Sequence, residues 1–168
     1  MSEMANVKFR YFWLLFVPLL IQLMLFSPLS IRLTFDLSAI PSIYIISMLA
    51  GAVVAWLNRS LPGFPLLLTG LLSNLLIISL NGGYMPVSAE ARIISGMPPL
   101  VGSANNVSVM TSDSVLWILG DTLPVPRVIP LANVYSIGDV LIAAGGVLFV
   151  LTVVGSCKRA TGPETLKG

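Results

Sequence analysis

Four long apolar stretches constrain the fold of this chain more than any other feature. A helix needs about 20 mostly apolar residues to cross the roughly 30 Å hydrocarbon core of a bilayer, where its backbone groups must hydrogen-bond within the helix. The sequence contains such segments at about residues 11–31, 39–57, 64–80 and 137–157. It therefore predicts an all-α membrane protein with four transmembrane helices.

Two further patterns resemble other kinds of segment. Residues 93–112 are uncharged, but Pro98, Pro99 and several Gly and Asn residues would leave backbone groups unpaired in hydrocarbon, so we predict a loop there. Residues 1–30 resemble a secretory signal peptide, because Lys8 and Arg10 precede an apolar stretch. That stretch is long for a signal and no A-x-A-like cleavage site follows, which favours a retained helix.

The distribution of Lys and Arg predicts the orientation, because cytoplasmic loops carry an excess of these residues. With the N-terminus inside, six lie on the cytoplasmic side and three outside. The inner six are Lys8, Arg10, Arg59, Lys158, Arg159 and Lys167, and the outer three are Arg32, Arg92 and Arg127. We therefore expect a cytoplasmic N-terminus at residues 1–10 and a cytoplasmic tail at residues 158–168.

Residues 81–136 are then an extracytoplasmic loop between helices 3 and 4, which we call the cap. It is Pro-rich, yet too apolar for a disordered segment. Ser88 is placed to begin a short helix, and Trp117 to sit at the membrane interface. Residues 120–139 contain three prolines, each of which fixes its own φ and biases its predecessor towards extended geometry, so we expect a stiff extended strap.

Composition excludes several classes of mechanism. The chain has no His and one Cys, so neither a His-containing catalytic triad nor a His-ligated metal site can form, and one Cys cannot close a disulfide within the chain. The net charge of +2 is too small to indicate a nucleic-acid partner. We expect no bound metal and no cofactor.

Three motifs resemble a known family. They are Leu80-Asn-Gly-Gly-Tyr-Met-Pro-Val-Ser88, Leu116-Trp-Ile-Leu-Gly-Asp-Thr-Leu-Pro-Val-Pro126 and Asn133-Val-Tyr-Ser-Ile-Gly-Asp-Val-Leu-Ile142. In this order and spacing they are similar to a family of small bacterial integral membrane proteins, a domain-of-unknown-function family. The resemblance covers about residues 12–151. It implies a multi-pass protein of the bacterial inner (plasma) membrane, and it brings no activity, cofactor or catalytic residue.

Five polar residues near the predicted outer mouth are candidate binding residues: Asn74, Asn81, Asp121, Arg127 and Asp139. Polar groups inside or beside a bilayer are costly to bury and often functional. Each also has a structural interpretation: packing between helices for Asn74, a helix stop for Asn81, an Asp121–Arg127 ion pair at the base of the strap, and an N-terminal helix charge with Ser136 as cap for Asp139.

The absence of a catalytic constellation favours a non-enzymatic role. Our leading hypothesis is a scaffold or accessory subunit that docks a membrane protein partner or a second copy through the cap and through small residues on the helices. The alternative is a transporter component that binds a small molecule, an ion or a lipid beneath the cap. A hydrolase that uses Asp121 and Asp139 as paired carboxylates is the third and least favoured hypothesis.

Overall fold

The computed structural model describes residue 14, residues 16–26 and residues 39–160, and this part of the chain is mostly helical. Its helices are α1 (Phe16–Phe26), α2 (Ile40–Leu57), α3 (Phe64–Leu80), the short α4 (Ala89–Ile94) and α5 (Ile137–Ala160). Of these, α2 and α5 are long and apolar enough to cross a membrane, whereas α1 and α3 are shorter apolar helices. The predicted ends of the first helix and most of both predicted tails lie outside the described residues.

Local sequence sets the ends of the central helices. Pro residues stand in the first turns of α2 and α3, where their missing N–H is not needed. At the other end of α3, Gly82 has a φ of +69° and the Gly83 N–H donates to the Ile78 carbonyl over 2.9 Å. This 6→1 bond is a Schellman stop, which the Asn-Gly-Gly sequence favours because glycine adopts positive φ without a steric penalty.

The four apolar helices pack in the order α1, α2, α3, α5, with two separate apolar clusters between them. Near the cap the cluster contains Leu25, Tyr44, Met48, Ile77, Ile78 and Met85. At the opposite end it contains Ala52, Ala55, Phe64 and Leu68, and the ring of Phe64 meets that of Phe149 edge-on at 5.4 Å. Small residues of α2 lie at these helix contacts. Ser47 accepts a hydrogen bond from Gln22 on α1 at 3.2 Å, and Ala55 is fully buried.

Glycines bring the backbones of α3 and α5 into direct contact. Gly63 faces Gly145, and Gly70 faces Gly138, so each member of a pair is seven residues from the next on its own segment. A Cβ atom at any of the four would overlap a backbone atom of the facing segment. The two helices therefore run antiparallel in a fixed register, because each close approach permits no side chain on either side.

The cap contains short strands, which corrects the prediction of an all-α fold. Strand β1 (Met85–Val87) pairs in parallel with β3 (Val107–Val109), which pairs with antiparallel β2 (Ser103–Ala104), and β4 (Leu123–Pro124) pairs with antiparallel β5 (Val134–Tyr135). Strands of two or three residues are too short to show the period-2 alternation by which strands are recognised in a sequence. The loop predicted at residues 93–112 includes two of them.

The predicted extended strap is wrong, because residues 120–139 fold back on themselves. The Val125 N–H donates to the Asn133 carbonyl over 2.8 Å, and the Ile129 N–H closes a turn on the Pro126 carbonyl over 2.9 Å. Leu131 adopts a φ of +64° as the chain reverses. A Pro fixes only its own φ and biases its predecessor, so a proline-spaced segment can still turn between its prolines.

Candidate functional site

A cavity of about 620 Å³ lies between the cap and the helices. Polar side chains from both parts line it: Tyr44, Asn74 and Asp139 from the helices, and Arg92, Asn106 and Asp121 from the cap. Apolar residues such as Met85 and Val87 complete the wall. Polar and apolar residues contribute equally to the lining, so this cavity is more polar than most small-molecule sites, although convergent polar groups are typical of such sites.

A hydrogen-bonded network joins Asn74, Ser136 and Asp139 at one wall of this cavity. The Asp139 N–H donates to Ser136 Oγ, and the Ser136 N–H donates to Asp139 Oδ2, both over 3.0 Å. This is a reciprocal capping box at the start of α5, with Asp in the place usually taken by Glu. Asn74 Nδ2 then donates to Asp139 Oδ1 over 2.8 Å, and Ser136 Oγ donates to Asn74 Oδ1 over 3.0 Å.

Glycine makes this network possible. A Cβ atom on Gly138 would overlap the Asn74 side-chain oxygen, and one on Gly70 would overlap the Gly138 carbonyl. The amide of Asn74 is 5% exposed and every one of its hydrogen bonds crosses to α5. Asn74 therefore couples the middle of α3 to the first turn of α5 from within the helix pair.

Asp121 enters the cavity from the cap and is held there by its backbone. Its N–H donates to the Pro86 carbonyl and its carbonyl accepts from the Ser88 N–H, each over 2.9 Å, so it extends the edge of β1. Burial, and to a smaller extent the nearby negative charge of Asp139, raises the pKa of its carboxyl to about 7. No described residue opposes this rise by a hydrogen bond or a positive charge.

The two carboxyl groups of the cavity, those of Asp121 and Asp139, differ in their hydrogen bonds. Both oxygens of Asp139 accept hydrogen bonds, one from Asn74 and one from the Ser136 backbone. Arg92, the cation of the cavity wall, directs Nε and Nη2 to the Pro98 carbonyl at 3.2 and 2.7 Å. Asp139 therefore caps α5 and binds Asn74, whereas the side chain of Asp121 has no hydrogen-bond donor among the described residues.

The other two candidate residues lie away from this cavity. Asn81 Oδ1 accepts from the Val115 N–H, and its Nδ2 donates to the Val115 and Ile77 carbonyls, at 3.0, 3.0 and 2.8 Å respectively. Arg127 is exposed, and its aliphatic carbons pack over Gly96. The predicted Asp121–Arg127 ion pair is wrong, because the turn at residues 126–129 directs Arg127 outward while Asp121 faces the cavity.

Sequence reasoning missed six other polar residues of the cavity lining, which are Tyr44, Arg92, Asn105, Asn106, Asn133 and Tyr135. The Asn106 side-chain N–H contacts the Tyr44 hydroxyl at 3.4 Å across 62 residues of sequence. No local pattern marks such a long-range contact. Over the described ranges, no group of three or more His, Cys, Asp or Glu side chains is placed to hold a metal ion.

Comparison with known proteins gives one match. The model of a family of unknown function, DUF5317, matches residues 6–151. No curated protein and no solved structure matches the chain.

Proposed function

We propose that this chain, which belongs to the DUF5317 family of unknown function, is a multi-pass membrane protein that binds a small cationic molecule beneath its cap. The proposal has two parts, the membrane setting and the ligand. Each is supported by different residues and is tested separately.

The exposure of the helices supports the membrane setting. Only 33% of the apolar window of α2 and 11% of that of α5 are buried, whereas the core helix of a soluble protein would be mostly buried. Monomeric soluble proteins rarely expose apolar patches larger than a few hundred Å². We propose that α1 and α3 also cross, giving four transmembrane helices in a bacterial inner membrane with both termini cytoplasmic and the cap outside.

The Asp121 carboxyl carries the ligand proposal. It is the acidic group of the cavity without a hydrogen-bond donor among the described residues, and Asp139 adds a second negative charge to the cavity lining. An organic cation would neutralise Asp121, and the ring of Tyr44, which also lines the cavity, suits a cation near its face. The cavity volume accommodates a molecule of a few carbon atoms with amino groups.

Calorimetric titration in mild detergent tests the ligand, with the diamine putrescine as the probe and the uncharged diol of the same chain length as its control. We expect putrescine to bind at a pH above 7 and the diol not to bind. Asp121→Asn should weaken putrescine binding about tenfold or more, which corresponds to about 1.4 kcal/mol. Asp113→Asn makes the same charge change at an exposed site of the cap and should leave binding unchanged. Equal affinities for the two variants would refute the proposal.

A second candidate function, docking of a protein partner, rests on the tip of the β4–β5 hairpin. There Val128 is 91% exposed and Leu131 is 84% exposed. Mass spectrometry of the intact protein released from mild detergent distinguishes the two functions. A stoichiometric partner or second copy that is lost in Val128→Ser/Leu131→Ser would support docking, whereas a retained small cation lost in Asp121→Asn would support the cavity.

A further inference from the structure

The cap has a second apolar surface at the end of α3. Four consecutive side chains, Val115, Leu116, Trp117 and Ile118, are each 44–58% exposed, and we call them the apolar ledge. Leaving apolar area in contact with water is unfavourable. Such a run of exposed side chains therefore needs an apolar environment to cover it.

The ledge is rigidly attached to α3. Asn81, the residue that follows α3, pairs with both backbone groups of Val115 at 3.0 Å. Leu119, just beyond the ledge, packs inward against the cluster that contains Ile77 and Ile78. Leu116 adopts a φ of +53°, a left-handed conformation that is unfavourable for a non-glycine residue and persists only where neighbouring contacts hold it.

The position of the ledge identifies what covers it. Helix α3 exposes Leu72, Leu76 and Leu80, one residue per turn to its last residue, each 47–49% exposed. The ledge begins at the residue held by Asn81, so the exposed apolar surface of α3 ends beside it. Trp is enriched where hydrocarbon meets headgroups, because its ring is apolar and its N–H is polar.

We infer that the apolar ledge lies in the outer interfacial layer of the bilayer and seats the cap on the membrane surface. This inference rests on the membrane part of the proposed function. The ledge contains no charged side chain, so its binding to lipid depends on burial of apolar area and not on anionic headgroups.

Quenching of Trp fluorescence by brominated lipids tests this position. In the full chain with Trp13→Phe and Trp56→Phe, Trp117 is the remaining tryptophan. The protein is reconstituted in phosphatidylcholine vesicles that carry bromine either near the headgroup end or near the methyl end of the acyl chain. We expect the headgroup-end bromine to quench Trp117 more strongly, and its emission to shift to shorter wavelength than in water.

Two single-tryptophan controls, made with Trp117→Phe, separate this inference from the proposal on which it rests. Leu72→Trp, at the middle of α3, should be quenched most by the methyl-end bromine, and Val128→Trp, 91% exposed on the hairpin tip, should respond to aqueous iodide instead. Lipid quenching at position 72 without lipid quenching of Trp117 would overturn the ledge while leaving the membrane setting intact. Absence of lipid quenching at both would overturn the membrane setting. Equal lipid quenching of Trp117 and position 128 would show that the ledge is not the specific contact.

Discussion

Asn74 on α3 donates a hydrogen bond to Asp139 on α5 over 2.8 Å, and these residues are 65 positions apart in the sequence. The bond gives the Asp139 carboxylate a donor from another helix, in addition to the Ser136 N–H, which donates to it at the start of its own helix. The contact between α3 and α5 is thus tied to the point where α5 leaves the cap. The same carboxylate faces the cavity, so the stability of the helix pair and the charge of the cavity share one residue.

Removal of the Asn74 amide should destabilise the fold. In Asn74→Leu, Asp139 loses a donor and Ser136 Oγ loses an acceptor, and we expect a loss of about 1–3 kcal/mol in the free energy of unfolding. The measurement is denaturant titration in micelles, followed by circular dichroism. Thr69→Val removes an exposed hydrogen bond to the Pro65 carbonyl within the same helix and should have little effect. Equal losses in both variants would contradict the role assigned to Asn74.

Adjacent glycines on α5 offer a sharp test of the helix contact. A Cβ at Gly145 would press on the Gly63 carbonyl and on Leu67, whereas one at Gly146 meets nothing within 4 Å. Gly145→Ala should therefore destabilise by about 1–3 kcal/mol through overpacking. Gly146→Ala should be neutral or stabilising by up to about 1 kcal/mol, because Ala has the higher helix propensity. Thermal unfolding in detergent measures both, and a reversed order would contradict the described register of α3 and α5.

The helices could be predicted from the sequence because long apolar runs are a local property, and the mostly helical character is confirmed. The stop at Asn81-Gly82-Gly83 is equally local, since three residues determine it. By contrast, the pairing of β1 with β3 joins segments about 20 residues apart, and strands this short leave no periodic signal. The reversal of the strap depends on its turn, which proline spacing alone does not indicate.

Candidate residues were predicted from one criterion, a polar group near the membrane. That criterion selected Asn74, Asp121 and Asp139, which line the cavity. It also selected Asn81 and Arg127, which lie away from the cavity. The sequence cannot separate the two groups, because the direction of a side chain in the cap depends on tertiary pairing. Tyr44 lies on a hydrophobic helix and carries no sign of its contact with Asn106.

Loss of the hydrogen bonds between the Asn81 side chain and the Val115 backbone should loosen the apolar ledge without unfolding the helices. In Asn81→Ala, Val115 loses both of its partners from this amide, each worth about 1 kcal/mol, so exchange of its N–H with solvent should accelerate by about tenfold or more. Hydrogen–deuterium exchange with mass spectrometry measures this for the peptide that contains the ledge. Asn106→Ala changes an amide of the cap that contacts Tyr44 and should leave this peptide unaffected. Unchanged exchange in Asn81→Ala would mean that other contacts hold the ledge.

The pH dependence of stability should report on Asp121. The pKa of this carboxyl rises from 3.8 to about 7 in the folded protein, chiefly because of burial and then because of Asp139. Between these values the folded state binds more protons than the unfolded state, so the free energy of unfolding falls as the pH rises from 3.8 towards about 7, and this group adds no further change above that. Asp121→Asn should remove this part of the slope and be more stable than the native chain at the alkaline end of the window. Asp113→Asn, an exposed carboxyl on the cap, should keep the slope. Denaturant titrations across this pH range measure the effect, and a slope in Asp121→Asn as steep as in the native chain would show that another group is responsible.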